Sequence, residues 1–523
     1  MTDKDKKIIA KVFRYDPEHD SKPSFKTYTV PWREKITVLE VLRSIFEEHE
    51  PISFRYHCRM MQCGQCAVQV NGKPRLACST IVEEPGEITI EPLKGFPIIK
   101  DLVVDRSKTD AKILELKPYL QRTRPPIEEP EIIKDDLKDY FETTLQCREC
   151  YVCTAACPVV ETVPERFLAP TVMMKYLAPR VYDPRDEGDR LNQAVSEGLW
   201  YCTNCGACKE FCWRHVDVPR LGYRRIRQRA IEKGQQGLVP PEVRDMLDNI
   251  MKYGNPWKEP RIKRGEWAKS TGISTFQPKH DFLYYVGCLG SYDTRINEVT
   301  KALAEIMIKG KQSFGILGKD ENCDGNDVKT LGEEGLFSVL AEENIKSFKK
   351  LGVSKIVTLS PHAFNAIKND YPACGGSFQV MHYTQLLLNL VRDKSLNLSK
   401  ELNAKVTYHD PCFLGRHNNE YEAPRELIRA IPGAKLVEMP RIRENSFCCG
   451  GGSGHFYTDL LRGSRDTQSR IRVREAAKTG ADILAVACPI CLTMLEDAVK
   501  VEALEEEISV KDISELMRKA IRD

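Results

Sequence analysis

Seventeen of the 20 cysteines in this 523-residue chain fall into four ordered groups. The spacing of thiol ligands, more than any hydrophobic pattern, therefore limits what the chain can fold into. Cys58, Cys63 and Cys66 follow C-x4-C-x2-C, and eleven residues separate Cys66 from Cys78. Cys147, Cys150, Cys153 and Cys157 follow C-x2-C-x2-C-x3-C and precede Pro158. Cys202, Cys205, Cys208 and Cys212 repeat that spacing, with Trp213 where a proline often follows. Last come Cys412, the adjacent pair Cys448–Cys449, and Cys488 with Cys491, spaced C-x35-CC-x38-C-x2-C. Each group has the spacing of an iron–sulfur ligand set. Several one-electron centres strung along one chain predict long-distance electron transfer.

Composition narrows the remaining classes. A formal net charge of +3 with 29% charged residues describes an ordinary surface and makes no case for nucleic acid. The segment from Met1 to Lys7 lacks the apolar core and cleavage site of a secretory signal. The longest apolar runs, Tyr383 to Val391 and Ala481 to Leu492, fall short of the ~20 residues of a membrane span. The expectation is a cytoplasmic protein with no integral membrane segment. In a reducing compartment its cysteines are metal ligands rather than disulfides.

The chain reads as a multidomain α+β and α/β protein. Residues 1–108 form a β-grasp-like module. Strands Ile8–Phe13 and Phe25–Val30 precede a helix capped by Thr37, with apolar positions Val38, Val41, Leu42, Ile45 and Phe46. Asn71-Gly72 makes a hairpin between Ala67–Val70 and Leu76–Cys78. Residues 109–270 are α-helical around the two repeated cysteine runs, after a Pro-rich connector from Arg124 to Pro130. Arg220, Arg224, Arg225, Arg227 and Arg229 crowd one helix there and read as a solvated face. From Asp281 strands and helices alternate, which predicts parallel sheets. This half repeats itself. Cys288, Cys323-Asp324 and Ser360-Pro361-His362-Ala363 align with Cys412, Cys448-Cys449 and Cys488-Pro489-Ile490-Cys491 at offsets of 124, 125 and 128. The modules are residues 281–400, degenerate in its cysteines, and 401–523, intact.

The first group has the plant-type spacing for a [2Fe-2S] cluster, with Gly64 where the ligand loop must turn tightly. The second and third have the bacterial two-cluster spacing, in which each run's fourth cysteine serves the other cluster. Cys147, Cys150, Cys153 and Cys212 are then one [4Fe-4S] set, and Cys157, Cys202, Cys205 and Cys208 the other. In the fourth group five thiols exceed the needs of a cubane, and the extra one offers a spare ligand. A structural site or a zinc is the plainer alternative there. The degenerate copy keeps only Cys288 and Cys323. Cys374 and His362 are candidates to help bind one zinc, but these leftovers read better as small buried residues.

Residues 1 to about 250 resemble the iron–sulfur subunit of succinate dehydrogenases and fumarate reductases, on Cys58-Arg59-Met60-Met61-Gln62-Cys63-Gly64 and Pro97-Ile98-Ile99-Lys100-Asp101-Leu102-Val103-Val104-Asp105. The resemblance implies docking on an FAD-containing catalytic subunit, with the two-iron site nearest the flavin. Cys205 departs from members that hold a three-iron cluster beside a quinone, and it completes a run like that of heterodisulfide reductase small subunits. The second half resembles the CCG-domain catalytic subunit of heterodisulfide reductase, on His409-Asp410-Pro411-Cys412 and Cys448-Cys449-Gly450-Gly451-Gly452. That family implies a non-cubane [4Fe-4S] cluster on Cys412, Cys448, Cys449, Cys488 and Cys491, which cleaves a disulfide in two one-electron steps.

Together the halves resemble the iron–sulfur subunit of the thiol:fumarate reductases of methanogenic archaea. The implied reaction oxidises the thiol coenzymes CoM and CoB to their heterodisulfide and sends the electrons to a partner's FAD, where fumarate becomes succinate. Two alternatives stand beside it. One is a succinate:quinone oxidoreductase component whose CCG domain replaces a membrane anchor. The other is a relay component whose CCG half only docks.

Overall fold

A computed structural model describes residues 6–126, 130–132, 134–269, 271–464 and 466–521. Met1 to Asp5 and the middle of the Pro-rich connector lie outside the described residues. The chain divides into two compact units. The first comprises residues 1–199 and 206–226, the second residues 200–205 and 227–523.

In the first unit, strands β1 (Lys7–Arg14), β2 (Ser24–Pro31), β3 (Ala67–Val70), β4 (Lys73–Leu76) and β5 (Gly86–Glu91) form one mixed sheet in the order β2-β1-β5-β3-β4. β1 and β5 run parallel at its centre. The expected helix spans Val38–Glu48. Its first turn is closed by a capping box: Thr37 Oγ1 accepts from Glu40 N at 3.2 Å, and Glu40 Oε2 accepts from Thr37 N at 2.9 Å. Val38, Val41, Leu42 and Ile45 are buried as their period requires, whereas Phe46 is half exposed. The hairpin turns at Asn71-Gly72, but its second strand starts three residues earlier than expected. A short pair, β6 (Ile98–Lys100) with β7 (Val103–Val104), follows. Among the described residues no strand lies between Val104 and Phe282. The core of this unit includes Cys66 together with Tyr151, Val152 and Phe211, so the sheet module and the helical cysteine loops share one interior.

The second unit holds two four-stranded parallel sheets. β8 (Phe282–Tyr285), β9 (Phe314–Gly315), β10 (Lys355–Thr358) and β11 (Gln379–His382) are ordered β11-β10-β8-β9. β12 (Ala404–Tyr408), β13 (Ala434–Leu436), β14 (Ile483–Val486) and β15 (Ser509–Asp512) are ordered β13-β12-β14-β15. Read in reverse, the first order is the second, so the cysteine repeat is a repeat of topology. β11 and β15, which the sequence pattern does not predict, are the fourth strand of each copy. Both are short and half polar, so alternation gives no signal. Each is followed at once by a helix capped from its own last residue, His382 or Asp512. One apolar core serves both copies, and Tyr383 of one donates to Asp512 Oδ1 of the other at 2.8 Å.

The arginine-rich helix corrects one expectation. Arg220 and Arg229 are solvated, but Arg227 is 1% exposed. It donates to Cys202 O at 2.7 Å, Thr330 O at 3.1 Å and Ser453 Oγ at 3.2 Å, and lies over the Trp200 ring. A guanidinium tolerates such burial because its planar fork satisfies several acceptors at once.

Candidate iron–sulfur sites

The loop Cys58–Cys66 wraps by placing Arg59, Met61 and Gly64 in the left-handed region, at φ 59°, 62° and 68°. This turns backbone N–H groups inward. Those of Met60, Gln62 and Cys63 reach Cys58 Sγ at 3.5, 3.2 and 3.3 Å. Led by Met60, these donors pull the Cys58 thiol down to about 7. Burial pushes Cys66 up to about 12. A buried thiol of this kind becomes a thiolate only beside a cation, which an iron pair supplies. Gly64 is required twice. Its φ suits glycine, and an added Cβ would meet Arg148 O and Cys150 Cβ, each at 2.7 Å. The two-iron loop therefore touches the first four-iron loop directly. Gly64→Ala should cost about 1 kcal/mol for the backbone alone, and more for the clash. The expected result is loss of the two-iron visible spectrum with a lowered melting temperature; an unchanged spectrum would refute the packing.

The repeated cysteine runs repeat a backbone conformation. Glu149 and Tyr151 in one, and Asn204 and Gly206 in the other, stand at equivalent positions with φ of 51°, 61°, 54° and 78°. One cavity of the first unit is lined by Cys147, Cys150, Cys153 and Cys212 together. Three of these sulfurs come from one run and the fourth from the other, the pairing read from the spacing. Burial holds Cys150 up at about 12. Thr171 Oγ1 lies 3.0 Å from Cys153 Sγ.

The five cysteines of the intact CCG copy are brought together at 1–8% exposure. Cys412 follows β12, Cys448 and Cys449 sit in a loop after β13, and Cys488 and Cys491 flank the start of helix Pro489–Val501. Their thiols form a hydrogen-bonded series. Cys448 accepts from Cys205 and Cys412, which lowers it, while Cys412 as donor is raised. Cys449 accepts from Cys448 and Cys491, the latter at 3.4 Å, and is held well below the usual range.

Several neighbours of this site take their place through contacts that the sequence does not show. A ring nitrogen of His409 and the sulfurs of Cys449 and Cys491 lie within 4.8 Å of one another. Arg472 Nε donates to His409 Nδ1 at 3.2 Å, which leaves the proton on Nε2. Nε2 is buried without a hydrogen-bond partner among the described residues. An N–H donor stranded beside sulfurs fits a site that holds an anionic cluster. Arg416, which burial opposes but Cys205, Cys412 and Cys448 keep charged, donates to Cys205 O at 2.7 Å and Ser446 O at 2.6 Å. His417 Nε2 lies 2.9 Å from Asn204 O, and Thr203 Oγ1 lies 3.8 Å from Cys448 Sγ. Gly452 is pinned there too, since an added Cβ would stand 2.6 Å from Thr203 O. Within the second unit, then, the Cys202–Cys205 segment is laced onto the CCG site.

The degenerate copy keeps its cavity but not its ligands. Cys288, Cys323, Asp324, Ser360 and His362 line it with Pro489 and Ile490. Cys374 is not among its lining residues.

Comparison with known proteins matches these regions one by one. A 2Fe-2S iron–sulfur cluster binding domain matches residues 9–111, a 4Fe-4S dicluster domain residues 143–216, and a cysteine-rich (CCG) domain residues 282–368 and again 406–496. The EtfAB:quinone oxidoreductase of Syntrophomonas wolfei is 33% identical over 67% of this chain, which spans about half of that protein's length. One component of the dihydromethanophenazine:CoB–CoM heterodisulfide reductase of Methanosarcina barkeri is 31% identical over 66% of this chain and 83% of its own. One component of the fumarate reductase (CoM/CoB) of Methanothermobacter marburgensis is 31% identical over 99% of this chain and 100% of its own. Among the described residues no helix is long and apolar enough to cross a membrane. Matched end to end by that last relative and domain by domain by the family models, the chain belongs to the family of iron–sulfur oxidoreductase subunits that includes this component of fumarate reductase (CoM/CoB).

Proposed function

We propose that this chain is the iron–sulfur subunit of a thiol:fumarate reductase. Its thiol site is built on Cys412, Cys448, Cys449, Cys488 and Cys491, where CoM and CoB thiols are oxidised to their heterodisulfide. Electrons then pass by way of Cys157, Cys202, Cys205 and Cys208, then Cys147, Cys150, Cys153 and Cys212, then Cys58, Cys63, Cys66 and Cys78. They leave for an FAD on a partner subunit, which reduces fumarate to succinate. Bound iron–sulfur clusters supply one-electron storage at each of these four sets, the CCG set holding a non-cubane [4Fe-4S] group.

The observation that carries this reading is the contact of the Cys202–Cys205 segment with the CCG set, with Thr203 Oγ1 3.8 Å from Cys448 Sγ and Arg416 Nε donating to Cys205 O at 2.7 Å. The chain's own residues prepare the site around it. Arg416 and His417 clamp the backbone of Cys205 and Asn204. Arg425 holds Asp410 by two bonds of 2.5 and 2.9 Å, and Asp410 in turn receives the Arg443 N–H at 2.9 Å, which sets the loop next to Cys412. At the other end, the contact of Gly64 with Cys150 supports the two-iron loop as the step after the first cysteine run.

Two measurements test the reading. With its flavoprotein partner the complex should reduce fumarate at the expense of the two thiols. A complex that reduces fumarate from a quinol and ignores thiols would favour the quinone alternative instead. The chain alone should carry about fourteen iron atoms, two from the plant-type set and four from each of three further sets. A count near ten would mean that the CCG thiols hold no cluster.

A further inference from the structure

The degenerate copy has lost three of its five cysteines, yet the two that remain are not scattered. Cys288 and Cys323 are neighbours whose thiols interact, and Cys288 Sγ also lies 3.9 Å from Gly254 O. Both are at least 90% buried and line one cavity of about 30 Å³. Around them stands a network of buried charge. Arg264, 1% exposed, places Nη2 3.4 Å from Cys288 Sγ and bonds Asn322 O at 3.2 Å. The same guanidinium pairs with Glu321 at 3.1 Å. Glu321 accepts from Val286 N at 3.0 Å and Gly287 N at 2.8 Å, which fixes the turn that carries Cys288. Asn344 Nδ2 donates to Cys323 O at 2.9 Å, and Tyr285 OH to Asn322 O at 2.6 Å, which fixes the other side.

The cation beside the Cys288 sulfur is already present, as the guanidinium of Arg264. Two neighbouring thiols, with Cys323 and the fixed guanidinium of Arg264 both favouring the thiolate form of Cys288, are a pair ready to form a disulfide. Pro489 and Ile490, the two residues between Cys488 and Cys491, line the same cavity. The pair therefore shares a small cavity with the segment that carries two cysteines of the intact site.

We propose that Cys288 and Cys323 are a redox-active dithiol that stores two electrons beside the CCG site. The inference rests on the proposed reading only for its electron acceptor, the four-iron group held by Cys412, Cys448, Cys449, Cys488 and Cys491. In the oxidising direction, the Cys288 thiolate and the Cys323 thiol lose two electrons and one proton, and one bond forms between their sulfurs. The proton passes to the Asp324 carboxylate on the same cavity, where burial favours the protonated acid. The two electrons leave singly for the four-iron group. Reduction reverses each step. Such a pair would match two-electron thiol chemistry to a one-electron relay, the role a second cluster could have filled in this copy.

The test is an anaerobic redox titration of the cluster-loaded chain, quenched in acid, alkylated under denaturing conditions and read by peptide mass spectrometry. The linked Cys288–Cys323 peptide should appear on oxidation and vanish on reduction. Its ratio to the free pair should change tenfold per about 30 mV, the slope of a two-electron couple. Cys323→Ser should remove the linked peptide, which confirms its identity. In Cys448→Ser protein shown to lack the CCG group, the pair should stop following the applied potential on the same timescale. Two thiols at every potential in protein that retains the CCG group would overturn the inference and leave the proposed function standing. One zinc per chain that blocks alkylation of both cysteines would also overturn it. A pair that titrates normally in protein without the CCG group would instead refute its link to that site, and with it the electron acceptor taken from the proposed function.

Discussion

Cys448→Ser and Cys449→Ser should each abolish thiol-dependent fumarate reduction while a viologen still drives it. The viologen feeds the remaining centres or the flavin directly and so bypasses the thiol site. The loss should be complete because both sulfurs are buried within the five-cysteine set, Cys449 Sγ 3.4 Å from Cys491 Sγ. Serine's alkoxide is far harder to form at neutral pH, so neither replacement supplies the anionic ligand. Folding should survive, since the surrounding apolar core is shared by two complete sheets. The check is steady-state turnover with each electron donor beside an iron count on the same preparation. Thiol oxidation that persists in protein lacking the CCG iron would leave the relay-only reading in its place.

Cys63→Ser should cut the opposite end. Thiol-to-fumarate turnover should fall to background while the spectroscopic signal of the CCG site is retained, because the two lie in separately packed units. Cys63 also donates its own backbone N–H to Cys58 Sγ at 3.3 Å, a bond that serine keeps. The loss is therefore that of a ligand rather than of the loop. Turnover that continued in Cys63→Ser protein without two-iron absorbance would reverse or shorten the proposed order of centres.

Ligand spacing is legible in a sequence because iron–sulfur loops are local. Three of four sulfurs come from one turn, and the left-handed positions that shape the turn recur with the spacing. Glu149 and Asn204 illustrate this, and so do the duplicated sheets behind the CCG repeat. One cavity is lined by Cys147, Cys150, Cys153 and Cys212, three from one run and one from the other. What stays hidden is long-range. Arg227 sits in a cluster of arginines that looks solvated, and only its acceptors at Thr330 and Ser453, more than a hundred residues away, bury it. Arg264 gives no periodic or motif signal, yet it governs Cys288 through Glu321, 57 residues on. The contact of Cys205 with Cys448 joins groups that the sequence presents as separate. His409 is visible as part of a motif, but the stranded Nε2 that gives it meaning depends on Arg472.

The central claim is that the Cys412–Cys491 site exchanges electrons with thiols, and one spectrum addresses it directly. Electron paramagnetic resonance of the cluster-loaded chain should be recorded with both thiol coenzymes, with their heterodisulfide, and with neither. The account predicts a signal that changes with the thiols or the heterodisulfide and is missing from Cys449→Ser protein. Spectra indifferent to thiols and heterodisulfide alike, in protein carrying about fourteen irons, would contradict it.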